Sequence, residues 1–157
     1  MAYVSLDSDQ IKKAHKKHKY SKTQVEQLEK CMDEKNGPLF FMKTFMKIQH
    51  PVKGSIPFHP FPYQERLIAS YNDHRFSIAM LPRQTGKTTC ASGFLIWYAM
   101  FRPDSQILIA AHKYAGASDI MSRVRYAYEM LPSWIKAGVT QYNRNSIEFD
   151  NGSKISA

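Results

Sequence analysis

The stretch Phe76-Ser77-Ile78-Ala79-Met80-Leu81-Pro82-Arg83-Gln84-Thr85-Gly86-Lys87-Thr88-Thr89 decides how this chain is read. Residues 76–81 form a short apolar run with the length of a buried strand. Residues 82–86 are turn-like, and residues 88–101 follow as a helix apolar on nearly all sides. A polar loop between a buried strand and a buried helix is the context that makes Gly86-Lys87-Thr88 a phosphate-gripping motif. Successive backbone N–H groups and the positive end of the helix cradle phosphate oxygens in such a loop. Gly86 lets the backbone approach closely, where a side chain would collide with phosphate. Lys87 is placed to reach β- and γ-phosphates, and the Thr88 hydroxyl to coordinate Mg2+. The strict pattern has a glycine five positions before Gly86; this chain has Leu81 there. Arg83 has two readings: a guanidinium that stabilises charge on the γ-phosphate, or the partner of an acidic residue of the sheet.

Downstream, Pro103-Asp104-Ser105 makes a turn and residues 106–111 read as a second buried strand. Ala117, Ile120, Met121, Val124, Ala127, Tyr128 and Leu131 then recur at helical spacing, stopped by Pro132. This strand–helix–strand–helix order predicts an α/β fold: a P-loop NTPase-type parallel sheet with flanking helices. Residues 146–149 and 153–156 flank Asp150-Asn151-Gly152, a hairpin signal that adds a C-terminal β-hairpin. Upstream, Tyr63-Gln64 opens a helix with Leu67, Ile68 and Tyr71 on its apolar face. Residues 51–62 read as a proline-rich loop, and residues 39–48 as a short apolar stretch rich in Phe and Met. Ser21 and Gln24 form a capping box. The helix behind it carries Val25, Leu28 and Met32 and is stopped by Asn36-Gly37-Pro38. Lys12, Lys13, Lys16, Lys17, Lys19 and Lys22 crowd the segment before it, so residues 1–36 are a basic, helical N-terminal extension to residues 37–157.

The composition fits one globular domain: 157 residues, 43% hydrophobic, with nine Tyr and nine Phe. Lys and Arg number 22 against 13 Asp and Glu, a net charge of +9. That excess points to a polyanionic partner, nucleic acid first and an acidic membrane surface second. Cys31 and Cys90 offer no paired framework, which predicts a reducing compartment without disulfides or structural zinc. Residues 1–10 lack the marks of a signal peptide, and the longest apolar run, residues 94–101, is too short to span a bilayer. A soluble intracellular protein without a membrane partner is expected.

The string from Leu81 to Thr89 resembles the variant Walker A loop of tailed-phage terminase large subunits, most nearly those of contractile-tailed phages. Those loops often read Arg-Gln-x-Gly-Lys-Thr without the first glycine. Phe61-Pro62-Tyr63-Gln64 resembles the family's adenine-reading glutamine motif. Ile107-Leu108-Ile109-Ala110-Ala111-His112-Lys113 resembles its second strand and following loop. Leu131-Pro132 and Asn145-Ser146-Ile147-Glu148-Phe149-Asp150-Asn151-Gly152-Ser153 also fit. The resemblance implies a motor ATPase that pumps double-stranded DNA into a prohead. It implies ATP and Mg2+ as cofactors, with Gln64 on the adenine. Arg83, Gln84, Thr85, Gly86, Lys87, Thr88 and Thr89 would surround the phosphates, Arg83 and Lys87 acting in catalysis and Thr88 holding the metal. His112 and Lys113 would lie where related motors touch nucleic acid. The implied partners are the portal protein and the small terminase subunit, and the full-length protein would form a homo-oligomeric ring. Its place would be the host cell cytoplasm, transiently at the portal vertex of the prohead.

The family's Walker B strand, coupling motif and nuclease domain have no counterpart in residues 1–157, so the sheet is expected to be incomplete and Mg2+ to lack a ligand. The alternatives are a helicase-like nucleic-acid-dependent P-loop ATPase, a scaffold that binds through its basic arm, and a small-molecule P-loop kinase. Residues 1–157 should hydrolyse ATP slowly or not at all beside a full-length enzyme. Comparable turnover in a phosphate-release assay would contradict this.

Overall fold

A helix that is apolar almost all round must be covered almost all round, and α4 (Lys87–Phe101) sets the packing. The computed structural model describes residues 10–50 and 52–157. Ile96, Trp97 and Ala99 of α4 are fully buried. α2 (Gly37–Phe45) and α3 (Pro62–Asp73) pack on this helix, as do α5 (Tyr114–Glu129) and strands of the main sheet. α1 (Lys22–Met32) lies on α2 and is tied to α4 by the Trp97 indole, which donates to the Cys31 carbonyl at 2.8 Å.

The Ser21–Gln24 capping box forms as expected, each side chain accepting the other residue's N–H. The buried face of α1 is carried by Leu28 and Cys31, whereas Val25 and Met32 are exposed. The helix ends at Met32, because the Asp33 carboxylate accepts the N–H groups of Lys35 and Asn36 and turns the chain. Asn36-Gly37-Pro38 therefore opens α2 instead of stopping α1. Gly37 has no room for a side chain, since a Cβ would strike the Cys31 carbonyl.

The main sheet has the order β3-β6-β5-β4, with β3 (Gln106–Leu108), β4 (Val139–Tyr142), β5 (Ser146–Phe149) and β6 (Lys154–Ser156). Only β3 and β6 run parallel; β6, β5 and β4 are antiparallel neighbours. The sheet is thus mixed, which corrects the expectation of a parallel one. The predicted hairpin is present: Ile147 faces Ile155 across β5 and β6, and Gly152 sits at φ 83°. Positive φ is cheap only for glycine. The Asn151 amide also donates to the Ala99 carbonyl of α4 at 2.9 Å, fixing the hairpin to the core helix.

Residues 76–81 do not form the expected strand. They are irregular, and Phe76, Ile78 and Met80 are 82%, 94% and 92% exposed. A strand exists through its ladder, and no other described segment pairs with this one. The strand expected over residues 106–111 is cut to Gln106–Leu108, with a single further bond from the Ile109 N–H to the Ser156 carbonyl. β4 was not legible in advance, and neither was the small antiparallel hairpin of β1 (Lys47–His50) and β2 (Gly54–Pro57), which occupies part of the presumed loop. Among the described residues, no helix is long and apolar enough to cross a membrane.

Cys31 and Cys90 are fully buried, and burial pushes their thiols up to about 12 and about 11. The nucleophile in alkylation is the thiolate. Native protein at pH 8 should therefore react with iodoacetamide far more slowly than protein in urea. Equal rates in a mass-spectrometric time course would contradict this packing.

Candidate phosphate-binding site

The first turn of a helix has N–H groups without intrahelical acceptors. In α4 the first turn is Lys87, Thr88 and Thr89, and among the described residues no acceptor meets their N–H groups; the ladder begins with Cys90 N–H to the Gly86 carbonyl at 3.0 Å. These N–H groups form the positive end of the helix dipole. The chain reaches them through a loop bent twice into left-handed backbone, at Gln84 (φ 64°) and at the N-cap Gly86 (φ 75°). A non-glycine residue there costs roughly 1–2 kcal/mol, so something must hold the loop.

The carbonyl of Thr85, between the two bends, is that point. It accepts from the Tyr63 hydroxyl at 2.8 Å and from the Gln64 amide at 3.0 Å. Gln64 is only 6% exposed, and its amide oxygen accepts the Phe61 N–H at 2.9 Å, so both ends of the side chain are engaged. The start of α3 thus clamps the loop that starts α4. Gly86 is required twice over: its φ favours glycine, and a Cβ would stand 2.6 Å from the Gln64 amide nitrogen. Within the loop, the Thr85 hydroxyl and the Lys87 ammonium both donate to the Pro82 carbonyl, at 3.0 and 3.1 Å.

The structure therefore brings Gln64, Thr85, Gly86 and Lys87 together. Thr88 and Thr89 follow half-buried on the first turn of α4, and Arg83 and Gln84 are exposed. Arg83 makes no ion pair among the described residues, and His112 and Lys113 are exposed before α5. Leu81 does not have positive φ, so a side chain is tolerated where the strict motif has glycine. Tyr63 is the residue that sequence reasoning missed. No local signal marked it, since consecutive helical residues point about 100° apart and its hydroxyl meets a carbonyl 22 residues away. Its ring also stacks on that of the exposed Phe61, with centroids 5.9 Å apart.

This donor set fits a polyphosphate. Residues 81–89 carry Arg83 and Lys87 and no acid, and the Lys87 ammonium is engaged with the loop's own Pro82 carbonyl. For a divalent cation the side-chain oxygens of residues 81–89 are neutral, the hydroxyls of Thr85, Thr88 and Thr89 and the Gln84 amide, and hard cations take several oxygens. Residues 78–157, just over half of the chain, match the family model for the N-terminal part of T4likevirus-type terminase large subunits. That match takes in the whole loop, α4, α5 and the main sheet.

Tyr63→Phe removes one of the two hydrogen bonds on the Thr85 carbonyl and should lower unfolding free energy by about 1 kcal/mol. Gly86→Ala should cost at least as much, because strain at positive φ adds to the clash with Gln64. Urea melts of both variants check this, and wild-type stability for Gly86→Ala would contradict the described loop.

Proposed function

The chain belongs to the T4likevirus-type terminase large subunits, through their N-terminal part, and from that premise we propose that residues 84–88 grip the phosphates of ATP. Terminase large subunits are ATPases of viral DNA packaging. The observation that supports the reading best is the clamped loop at the start of α4, with orphan N–H groups at Lys87, Thr88 and Thr89 and two cations beside them.

In this reading the loop is built before nucleotide arrives. Gln64 and Tyr63 fix the Thr85 carbonyl, so the backbone of the loop is ordered before binding. Lys87 exchanges the Pro82 carbonyl for β- and γ-phosphate oxygens, a charge-assisted bond in place of a neutral acceptor. Arg83, exposed on the same loop, swings onto the γ-phosphate and stabilises the charge that develops in the transition state. The hydroxyl of Thr88 would be the loop's ligand to Mg2+, and Thr89 stays on the same first turn of α4. Mg2+, when bound, neutralises charge on the β- and γ-oxygens. Gln64, expected on the adenine, has both ends of its side chain engaged and serves instead as the clamp that links the position of α3 to that of the phosphate loop. Phe61, exposed and parallel to Tyr63, offers a ring face on the same side.

The fold that serves this is a P-loop NTPase-type domain of which residues 37–157 are the N-terminal part, with residues 1–36 a basic extension. The work done is the coupling of ATP hydrolysis to translocation of double-stranded DNA into the prohead. It runs in the host cytoplasm at the portal vertex, with the portal protein and the small terminase subunit as partners and the full-length subunits in a ring.

Lys87→Ala tests the site. A hydrogen bond to a charged group contributes roughly 1.5–3 kcal/mol, so affinity for a fluorescent ATP analogue should fall about tenfold to hundredfold. Unchanged affinity in an equilibrium titration would overturn the assignment.

A further inference from the structure

The first described part of the basic arm is tied to the main sheet. Residues 10–15 lie along the outer edge of β4: Lys13 forms a parallel bridge with Val139, and the Val139 N–H donates to the Lys12 carbonyl at 2.9 Å. Lys12 Nζ donates to the Lys136 carbonyl at 2.8 Å, and the buried Lys136 Nζ donates back to the Gln10 carbonyl at 2.7 Å. The His15 N–H donates to the Asp150 carboxylate at 2.9 Å. Gly138 makes the close approach possible, since a Cβ there would stand 2.9 Å from the Ala14 Cα and run into Asp150. An edge strand is thereby covered, and the chain that carries Lys16 and Lys17 leaves from that edge.

What they surround is a cleft of about 510 Å3, lined by Lys12, Lys13, Lys16, Lys17, His18 and Lys136 with Ile11, Ala14 and Ser133. No acid lines it. Lys13, Lys16 and Lys17 are exposed. Burial lowers the Lys12 pKa; Asp150 opposes that shift and the like charge of Lys16 adds to it. The exposed Lys13, Lys16 and Lys17 make no ion pair among the described residues, so their like charges repel one another, and a polyanion relieves this.

We propose that this cleft holds backbone phosphates of duplex DNA, at a site separate from the phosphate loop. The proposal rests on the packaging reading, which already calls for DNA. Lysine is depleted at protein–protein interfaces, where hot spots are aromatic or Arg anchors in pockets, and no such anchor lines this cleft. Single-strand binding relies on free ring faces for stacking; the one ring in the lining, His18, is met edge-on by Tyr20 at 4.8 Å. Point charges at the ends of flexible stems suit a contact that ignores sequence.

The test uses the full chain, a fluorescein-labelled duplex of random sequence and anisotropy titrations across a range of NaCl. In Lys13→Gln/Lys16→Gln/Lys17→Gln the slope of log affinity against log salt should become shallower by about 2–3, and binding at 0.1 M salt should weaken at least about tenfold. Lys13→Arg/Lys16→Arg/Lys17→Arg keeps the charges and should keep the wild-type slope, with an unchanged circular dichroism spectrum in both variants. An unchanged slope in the glutamine variant overturns the site, as does a wild-type chain that binds no duplex. Stronger competition by polyglutamate than by duplex at equal charge also overturns it, in favour of an acidic protein partner. Binding of the fluorescent ATP analogue, followed in the same samples, shows separately whether the nucleotide reading stands.

Discussion

Everything in this molecule is arranged around α4, a helix with almost no polar side to give to solvent. It has to be covered by α2 and α3, by α5 and by the sheet, and Trp97 at its centre reaches out to the Cys31 carbonyl to hold α1 in place as well. One end of such a helix must still come to the surface, and its first N–H groups arrive there without partners. The loop clamped by Tyr63 and Gln64 lies at that end. A tightly buried helix supplies a rigid base, and in the proposed function its N-terminus meets phosphate.

The loop itself would be strained if left alone, with Gln84 and Gly86 both in left-handed backbone. The Tyr63 and Gln64 side chains remove that freedom through a single carbonyl, Thr85. Two consequences come from one contact. The loop is held in place, and any motion of α3 is felt at it. In the proposed motor, a short link between two helices is a direct route for coupling nucleotide state to movement. The basic arm, by contrast, sits on the far edge of the main sheet beyond β4, and its lysines share no residue with the loop.

The sequence displayed best what depends on local chemistry. The capping box at Ser21, the apolar periodicity of α5 and the Asp150-Asn151-Gly152 hairpin are written in a few adjacent residues, and each formed where expected. At the loop, the helix start after Gly86 and the need for glycine there were legible, because both are set by adjacent residues, whereas the strand expected before it did not form. What failed depends on partners far along the chain. Residues 76–81 have the composition of a buried strand, but a strand needs neighbours, and no described segment supplies a ladder to Ile78 or Met80. The sheet's mixed direction was hidden for the same reason: β4 and the order β3-β6-β5-β4 follow from long-range pairing, not from the residues of any one strand. Tyr63 was missed because a hydroxyl on a helix carries no sign of the carbonyl it will find 22 residues later.

The central claim is that the first turn of α4 is the phosphate site, and hydrogen–deuterium exchange reads it at the atoms concerned. Without ligand, the amides of Lys87, Thr88 and Thr89 should exchange quickly, since nothing described accepts their hydrogens. With excess MgATP they should slow by about the ratio of ligand concentration to dissociation constant, while amides of residues 10–20 stay as they were. Equal exchange at Lys87, Thr88 and Thr89 with and without nucleotide would contradict the account.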